Sequence, residues 1–401
     1  MAAVTIAQGA TWAISAIAAG GVIGRPWRLP EAIWAVLGAA TLVAFALVPW
    51  PDALHAVGRG TDVYLFLSGM MVLAELARRE GVFDWLAALS ARQARGSARR
   101  LFLLVFVVAT VVTILLSNDA TAVVLTPAVY AAARAAGAEP LPYLLVCAFI
   151  ANAASFVLPI SNPANLVVFA GHMPPLPLWL ALFAVPSILS ISATYVVLRL
   201  SQRASLRTPI ARRIAGPVLS DGGLLTLWGI GVVAAALLSA SALGFRLGLP
   251  TAISGALTAL IVLLSRRQAP WDLLKNISWS VLPLVAGLFV LVEGLAGTGV
   301  TRQLSKALQA AAQHAPAATI WAAGGIPAVA CNLMNNLPVG LLAGSAVAAA
   351  PLAPPVTGAL LIGVDLGPNL SVTGSLATIL WLVALRREGL EIGCAGRPAK
   401  S

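Results

Sequence analysis

The chain has 401 residues, 60% of them hydrophobic and 10% charged, with mean hydropathy +0.93 and formal net charge +11. A soluble domain carries about 45–50% apolar and 25% charged residues, so a soluble enzyme and a disordered chain are both excluded. In a membrane protein the positive balance reads as arginine-rich cytoplasmic loops rather than as a nucleic-acid surface.

Apolar runs of about 20 residues read as membrane helices, not barrel strands. Full spans are predicted near 4–24, 31–50, 61–77, 143–170, 176–198, 222–243, 248–265, 278–298 and 356–385. The first lacks the basic start of a signal peptide, since the first positive residue is Arg25, and is expected to be retained. The segment 81–98 fits either a helix lying on the cytoplasmic face or a solvated loop. Two further apolar segments, 101–136 and 317–350, have a polar centre between arms of about 15 residues. Such arms are short for a crossing, and re-entrant hairpins are expected there.

Basic residues set the orientation. Placing the loops with Arg78 to Arg100 and Arg199 to Arg213 in the cytoplasm puts 21 of the 25 lysines and arginines inside. Only Arg59, Arg246, Arg302 and Lys306 fall outside. The N-terminus is then external and the C-terminus cytoplasmic. Counting either hairpin as two crossings preserves this parity.

A polar linker, 201–221, divides the chain. Residues 1–200 form a first repeat, with a hairpin at 101–136 and a broken helix at 143–170. Residues 222–386 form a second, with a hairpin at 317–350 and a broken helix at 356–385; a cytoplasmic tail occupies 387–401. The first hairpin tip is Ser117-Asn118-Asp119-Ala120-Thr121 and the first break Ser161-Asn162-Pro163-Ala164-Asn165. The second tip runs from Cys331 through Asn335 and Asn336 to Pro338, and the second break from Asp365 through Pro368 and Asn369 to Thr373 and Ser375. One hairpin opens inward and the other outward, the inverted repeat of a secondary transporter. Tip-to-break spacings of 47 residues (Asn118 to Asn165) and 33 (Asn336 to Asn369) make the repeat architectural rather than a copied sequence.

A break inside a membrane frees N–H and C=O groups that protein or a water-filled cavity must satisfy. Asparagine suits such a place because its amide both donates and accepts without burying a charge. Ser117, Asn118, Ser161, Asn162, Asn165, Asn335, Asn336, Asn369 and Thr373 are therefore the candidate substrate-binding residues. Asp119 and Asp365 are the two acids within these clusters, and an acid at such depth is a functional hypothesis by default. They are the candidate proton carriers, against the plainer role of capping a half-helix. Thr113 and Thr378 read as packing, Asp62 as a helix cap, and Glu75 and Glu293 as acids near the interface.

The strings SNDATAVVLTP, LPISNPANLVV, MNNLPVG and GVDLGPNLSVTGSLATILWL resemble the ArsB-type arsenite permeases of the ion transporter superfamily. The resemblance covers about 60–385. It implies the hairpin fold and an inner-membrane location. It also implies efflux of trivalent arsenic and antimony hydroxides coupled to proton entry, or in some systems to a soluble ATPase subunit, and a possible homodimer. Nucleic acid is not an expected partner, and no cofactor is expected beyond the ion gradient. The better-known members have an aspartate where this chain has Asn152, and a lysine where it has Asn369. They usually continue for one more span, whereas this chain ends at EIGCAGRPAKS.

Trivalent arsenic prefers thiolates, but Cys394 lies in the basic tail, apart from Cys147 and Cys331. Binding of neutral As(OH)3 through hydroxyl hydrogen bonds is expected instead. His55, His172 and His314 all fall in outer segments, so no histidine metal site is expected. The rival readings are a sodium- or proton-coupled carboxylate or anion carrier, or a sodium/proton antiporter, of the same superfamily. An intramembrane aspartyl protease is disfavoured, because Ser-Asn-Asp and Gly-Val-Asp are not its usual contexts. A nucleotide-driven pump is disfavoured too, because no P-loop is present.

Overall fold

A computed structural model describes residues 5–169, 173–212, 216–349 and 352–387. Among them there is no strand, and one isolated bridge joins Ser97 to Pro209. Six helices are long and apolar enough to cross a bilayer, and two bent pairs qualify when each is taken together. The protein is an all-helical, polytopic membrane protein.

The first half opens with α1 (Ile6–Gly24), started by a reciprocal capping box between Thr5 and Gln8. It continues with α2 (Glu31–Ala44) and α3 (Trp50–Arg59). Next come α4 (Thr61–Arg79), bent 44° from α3, and α5 (Val82–Gln93). The first hairpin is α6 (Ala98–Leu115) and α7 (Thr126–Ala135). The first broken helix is α8 (Leu141–Ala153) and α9 (Pro163–Phe169), followed by α10 (Leu176–Ser201). In the second half, α11 (Asp221–Ala242) and α12 (Gly248–Ser265) lead through a short α13 (Trp271–Asn276) to α14 (Val281–Gly297). After α15 (Val300–His314) comes the second hairpin, α16 (Pro316–Met334) and α17 (Asn336–Ala349). The second broken helix is α18 (Pro354–Leu366) and α19 (Leu376–Arg387), separated by two 3-10 turns.

Several expectations shift in detail. The span expected at 31–50 is only the 14 residues of α2, because α3 begins at Trp50 and turns toward α4. The entering arms of the two hairpins, α6 and α16, are 18 and 19 residues long rather than about 15, so length alone does not separate them from crossings. The segment 81–98 is a helix whose Val82, Phe83, Ala87 and Ala91 are buried, packed on α6 and α7. α15, bent 70° from α14, occupies a stretch with no predicted element. The linker is not free either. Ile210 donates its N–H to Gly96 O and Ala211 to Ala136 O, fastening it to the open end of the first hairpin. His172, Arg213 and Cys394 lie outside the described residues.

The helices of the two halves are interleaved. α4 packs on α12, and α14 packs on α2. α9 packs on the return arm of the second hairpin, α17, while α19 packs on the return arm of the first. Small residues permit the approach. A Cβ on Gly69 of α4 would stand 2.4 Å from Thr251 O, and one on Gly287 of α14 2.8 Å from Ala35 O. By contrast α10 turns Val185, Ile188, Leu189, Val197 and Leu200 outward, the surface a lipid chain satisfies.

Candidate functional site

The first hairpin turns at Ser117–Asp119. Its return arm starts as a π-helical turn, Ala120–Leu125. Pro127 has no N–H to give to the preceding turn, and the Thr126 hydroxyl bonds Thr121 O at 3.3 Å. Ser117 Oγ accepts from the N–H of Ala120, and Asn118 Oδ1 from that of Asp119. The Asn118 N–H crosses to Ser161 O at 3.1 Å, and the Ser161 hydroxyl returns to Ile114 O at 3.0 Å. The first tip and the first break are thus stitched together. Thr113, expected as packing, bonds Ala109 O and Thr121 Oγ1.

The break between α8 and α9 leaves carbonyls without helical partners, and nearby side chains take them up. Asn165 Nδ2 faces Ser155 O, Leu158 O and Pro159 O at 2.9, 3.2 and 3.3 Å. Trp179 Nε1 donates to Phe156 O and Val157 O, and Ser190 to Ala153 O. Asn165 therefore holds the break open with its donor side. Asn162 Oδ1 accepts the Ala164 N–H at the head of α9, and its Nδ2 reaches Asp365 Oδ1 in the other half at 2.8 Å.

The second tip is Asn335, with φ +73° and ψ 154°, a backbone conformation that side chains other than hydrogen avoid. Its Oδ1 accepts from Leu337 N–H. Asn332, part of the second tip but not among the candidate binding residues, ties this tip to the second break. Its Nδ2 bonds Ala328 O and Gly367 O, its Oδ1 accepts from Ser371 Oγ at 2.5 Å, and its carbonyl accepts from Thr373 Oγ1. Asp365, at the end of α18, is fully buried; its Oδ2 has no hydrogen-bond partner.

The two positions where the resemblance implies a charged pair do meet. Asn152 Nδ2 donates to Asn369 Oδ1 at 2.9 Å, and Asn369 Nδ2 to Phe149 O at 3.1 Å. Asn152 also reaches Thr378 and Ser375, so Thr378 belongs to this polar network rather than to plain packing. Two amides here do the joining that opposite charges would do elsewhere.

All four segments converge on a crevice of 20 Å³, lined by Asn118, Asp119, Asn162, Asn336 and Ser375 among apolar neighbours that include Leu67, Pro163 and Leu337. That is room for about one water. Among the described residues no lysine or arginine lines it. Of the other candidate residues, Ser117, Ser161, Asn165, Asn335, Asn369 and Thr373 form the frame behind the crevice. Asp365 stands behind Asn162.

A chamber of 510 Å³ lies one helical turn away along three helices at once. Val63 lines it where Leu67 lines the crevice, Leu166 and Val167 where Pro163 does, and Leu341 where Leu337 does. One turn is about 5 Å. Beside the crevice, and sharing Leu337 with it, a cavity of 10 Å³ is lined by Glu31, Leu284 and Asn335. The crevice therefore adjoins a wide chamber on the side of His55, Arg59 and Arg246.

The remaining polar residues pair locally. Glu75 bonds Arg78 at 2.7 and 2.5 Å, and Glu293 pairs with Arg59. Asp62 does cap a helix, but not its own: Oδ1 accepts the Gly248 N–H at the head of α12 at 2.9 Å. His314 Nδ1 lies 2.8 Å from Ala310 O. Cys147 and Cys331 are buried, and Cys331 Sγ faces Val364 O at 3.6 Å. Among the described residues no group of three metal-ligating side chains comes together.

Comparison with known proteins agrees with this architecture. The chain is 28% identical to the arsenical pump membrane protein of Escherichia coli strain K12, over 92% of this chain and 89% of that one. It is 26% identical to the uncharacterized transporter Rv2684 of Mycobacterium tuberculosis, over 91% and 88%. An arsenical pump membrane protein of Yersinia enterocolitica matches at 26% over 80% and 78%. The CitMHS family model, described as citrate transporter, matches residues 14–365. A polytopic chain with paired hairpins, paired broken helices and a buried amide-lined crevice is a membrane transporter, and it belongs to the CitMHS family.

Proposed function

We propose that this transporter exports arsenite and antimonite as neutral trivalent hydroxides in exchange for protons, by alternating access. The observation that carries the reading is the crevice shared by both tips and both breaks. It offers amides, a hydroxyl and an acid, and no cation. Such a lining matches a neutral polyhydroxy solute, which both donates and accepts hydrogen bonds. Asn118, Asn162 and Asn336 face the cargo. Ser117, Ser161, Asn165, Asn335, Asn369 and Thr373 fix the two tips and two breaks around it. Asp119 and Asp365 carry the coupling proton, so the gradient replaces any cofactor.

The exchange of helices between halves supports a division into an inverted repeat, 1–200 and 222–386, joined by 201–221. The chamber is the outer vestibule when basic loops are placed in the cytoplasm of an inner-membrane protein, with the N-terminus external. On that orientation the structure is closer to outward-open. The crevice must widen for the cargo to enter, and the hairpin tips are the parts that border it. A soluble ATPase subunit and a second copy of the chain are further proposed partners.

One observation favours a second reading, a carboxylate carrier: the family description is citrate transporter. Against it, a tricarboxylate would meet Asp119 and no cation in the crevice. Cells lacking their own arsenite pump separate the two. Expression of this chain is expected to lower accumulated arsenite several-fold. Unchanged accumulation with the protein present in the membrane, together with citrate uptake by proteoliposomes, would favour the carboxylate reading.

A further inference from the structure

The pair α11 and α12 carries a cavity away from the crevice and the chamber. Both helices are long and apolar enough to span the bilayer, they pack on each other, and only residues 243–247 join them. The head of α11 and the foot of α12 therefore lie together at one membrane surface. A cavity of 320 Å³ opens there, lined by Asp221 and Arg266 together with Ser265, Leu224 and Trp228. That volume falls in the range of small-molecule sites, about 300–1,000 Å³.

Its two charges are opposite and unspent. Asp221 and Arg266 line the same space, yet no ion pair joins them among the described residues. Arg266 Nε stands 4.0 Å from Glu80 Oε2, too far for a hydrogen bond. Both Asp221 and Arg266 are exposed. Opposite charges held apart across one cavity match a ligand that carries both signs itself. An anionic group suits the guanidinium, and an ammonium suits the carboxylate.

The apolar lining says where the body of that ligand lies. Leu224 and Trp228 follow Asp221 by three and seven positions, on one face of α11. Trp228 is thus about 10 Å along the helix from Asp221, near the boundary between headgroups and acyl chains, where tryptophan is favoured. It is 69% exposed, and Leu264 of α12 is 67% exposed. Charge at headgroup height above outward-turned hydrocarbon is the profile of a lipid, not of a soluble zwitterion.

We propose that this cavity binds a phospholipid whose headgroup carries a phosphate and a primary amine. The phosphate sits on Arg266, the ammonium donates to Asp221, and an acyl chain runs along Leu224 and Trp228. The site is independent of the cargo and of the leaflet it faces.

The test is native mass spectrometry of the full chain in detergent micelles, titrated with dioleoyl phosphatidylethanolamine or dioleoyl phosphatidylcholine. The two lipids share net charge and chains, but the choline ammonium has no N–H to donate. The ethanolamine lipid is expected to bind several-fold more tightly. Asp221→Ala is expected to bring the two to equal affinity, and Arg266→Gln to weaken both several-fold. Arg266→Lys keeps the charge and is expected to retain part of the binding. Lys275→Gln, an exposed change outside the cavity, is expected to alter neither affinity. Equal affinities in the wild type, a preference that survives Asp221→Ala, or affinities unmoved by Arg266→Gln overturn the proposal. Displacement of the lipid by an equal concentration of soluble glycerophosphoethanolamine overturns the membrane source. Failure of arsenite export with the lipid preference intact would sink the transport reading alone.

Discussion

Asp365 presents two carboxylate oxygens to a fully buried setting and finds a hydrogen-bond partner for one. Asp365→Asn removes the carboxyl proposed to carry the proton, with little change of shape. Export of arsenite by everted vesicles is expected to lose its pH dependence while the protein still reaches the membrane; an unchanged pH profile would remove Asp365 from the mechanism. Asn162→Ala takes the donor from the same carboxyl and is expected to lower stability by about 1–3 kcal/mol, read as a lower denaturation midpoint. Asn335 stands in a conformation that glycine adopts without strain. Asn335→Gly is therefore expected to hold or raise the midpoint, and Asn335→Val to lower it by about 2 kcal/mol. Asparagine in an apolar run is conspicuous in a sequence, and that is why Asn118, Asn162 and Asn336 stood out as candidates; all three line the crevice. Asn152 and Asn369 stood out only through the resemblance and Asn332 only as part of the second tip; their hydrogen bonds were not legible, because the partners lie elsewhere in the chain: Asn369 is 217 positions from Asn152. Asn165 was legible as polar and buried, but its use on three carbonyls is a property of the break it faces.

At the scale of elements, hydropathy located most helices because a long apolar run has few other fates in water. α12 occupies the predicted 248–265. The elements missed were α3, α13 and α15, which have no such run; α15, VTRQLSKALQAAAQH, is amphipathic, and its position beside the second hairpin follows from packing on α16 and α17. The broken helices were legible because Pro163 and Pro368 interrupt otherwise apolar stretches. The contact of α9 with α17 was not, since it depends on a close backbone approach. A Cβ on Gly344 would stand 2.4 Å from Val167 O and 3.1 Å from Val168 O. Gly344→Val is expected to cost about 1–3 kcal/mol by overpacking and to reduce transport with it. Gly325→Ala, where a Cβ meets nothing within 4 Å, is the matched control and is expected to change neither.

Across the whole molecule, a wide chamber stands one helical turn from a closed crevice, and a small cavity adjoins the crevice at Leu337. Ser345→Cys, in the chamber, is expected to react with a membrane-impermeant maleimide added from that face. Leu284→Cys, in the small cavity beside Glu31, is expected to stay unreactive from the other face until transport conditions shift the population; rapid labelling at rest would contradict the direction of opening. The interleaving of the halves has a consequence for how such a chain is made. Gly69 and Thr251, which touch in the finished protein, are 182 positions apart. At about 5–20 residues per second of synthesis, α4 waits roughly 10–40 s in the bilayer before its partner exists. During that interval its glycine-bearing face is open to any passing helix. The cell must shelter that face while the ribosome finishes, and the demand for an insertion chaperone is written into the pairing itself.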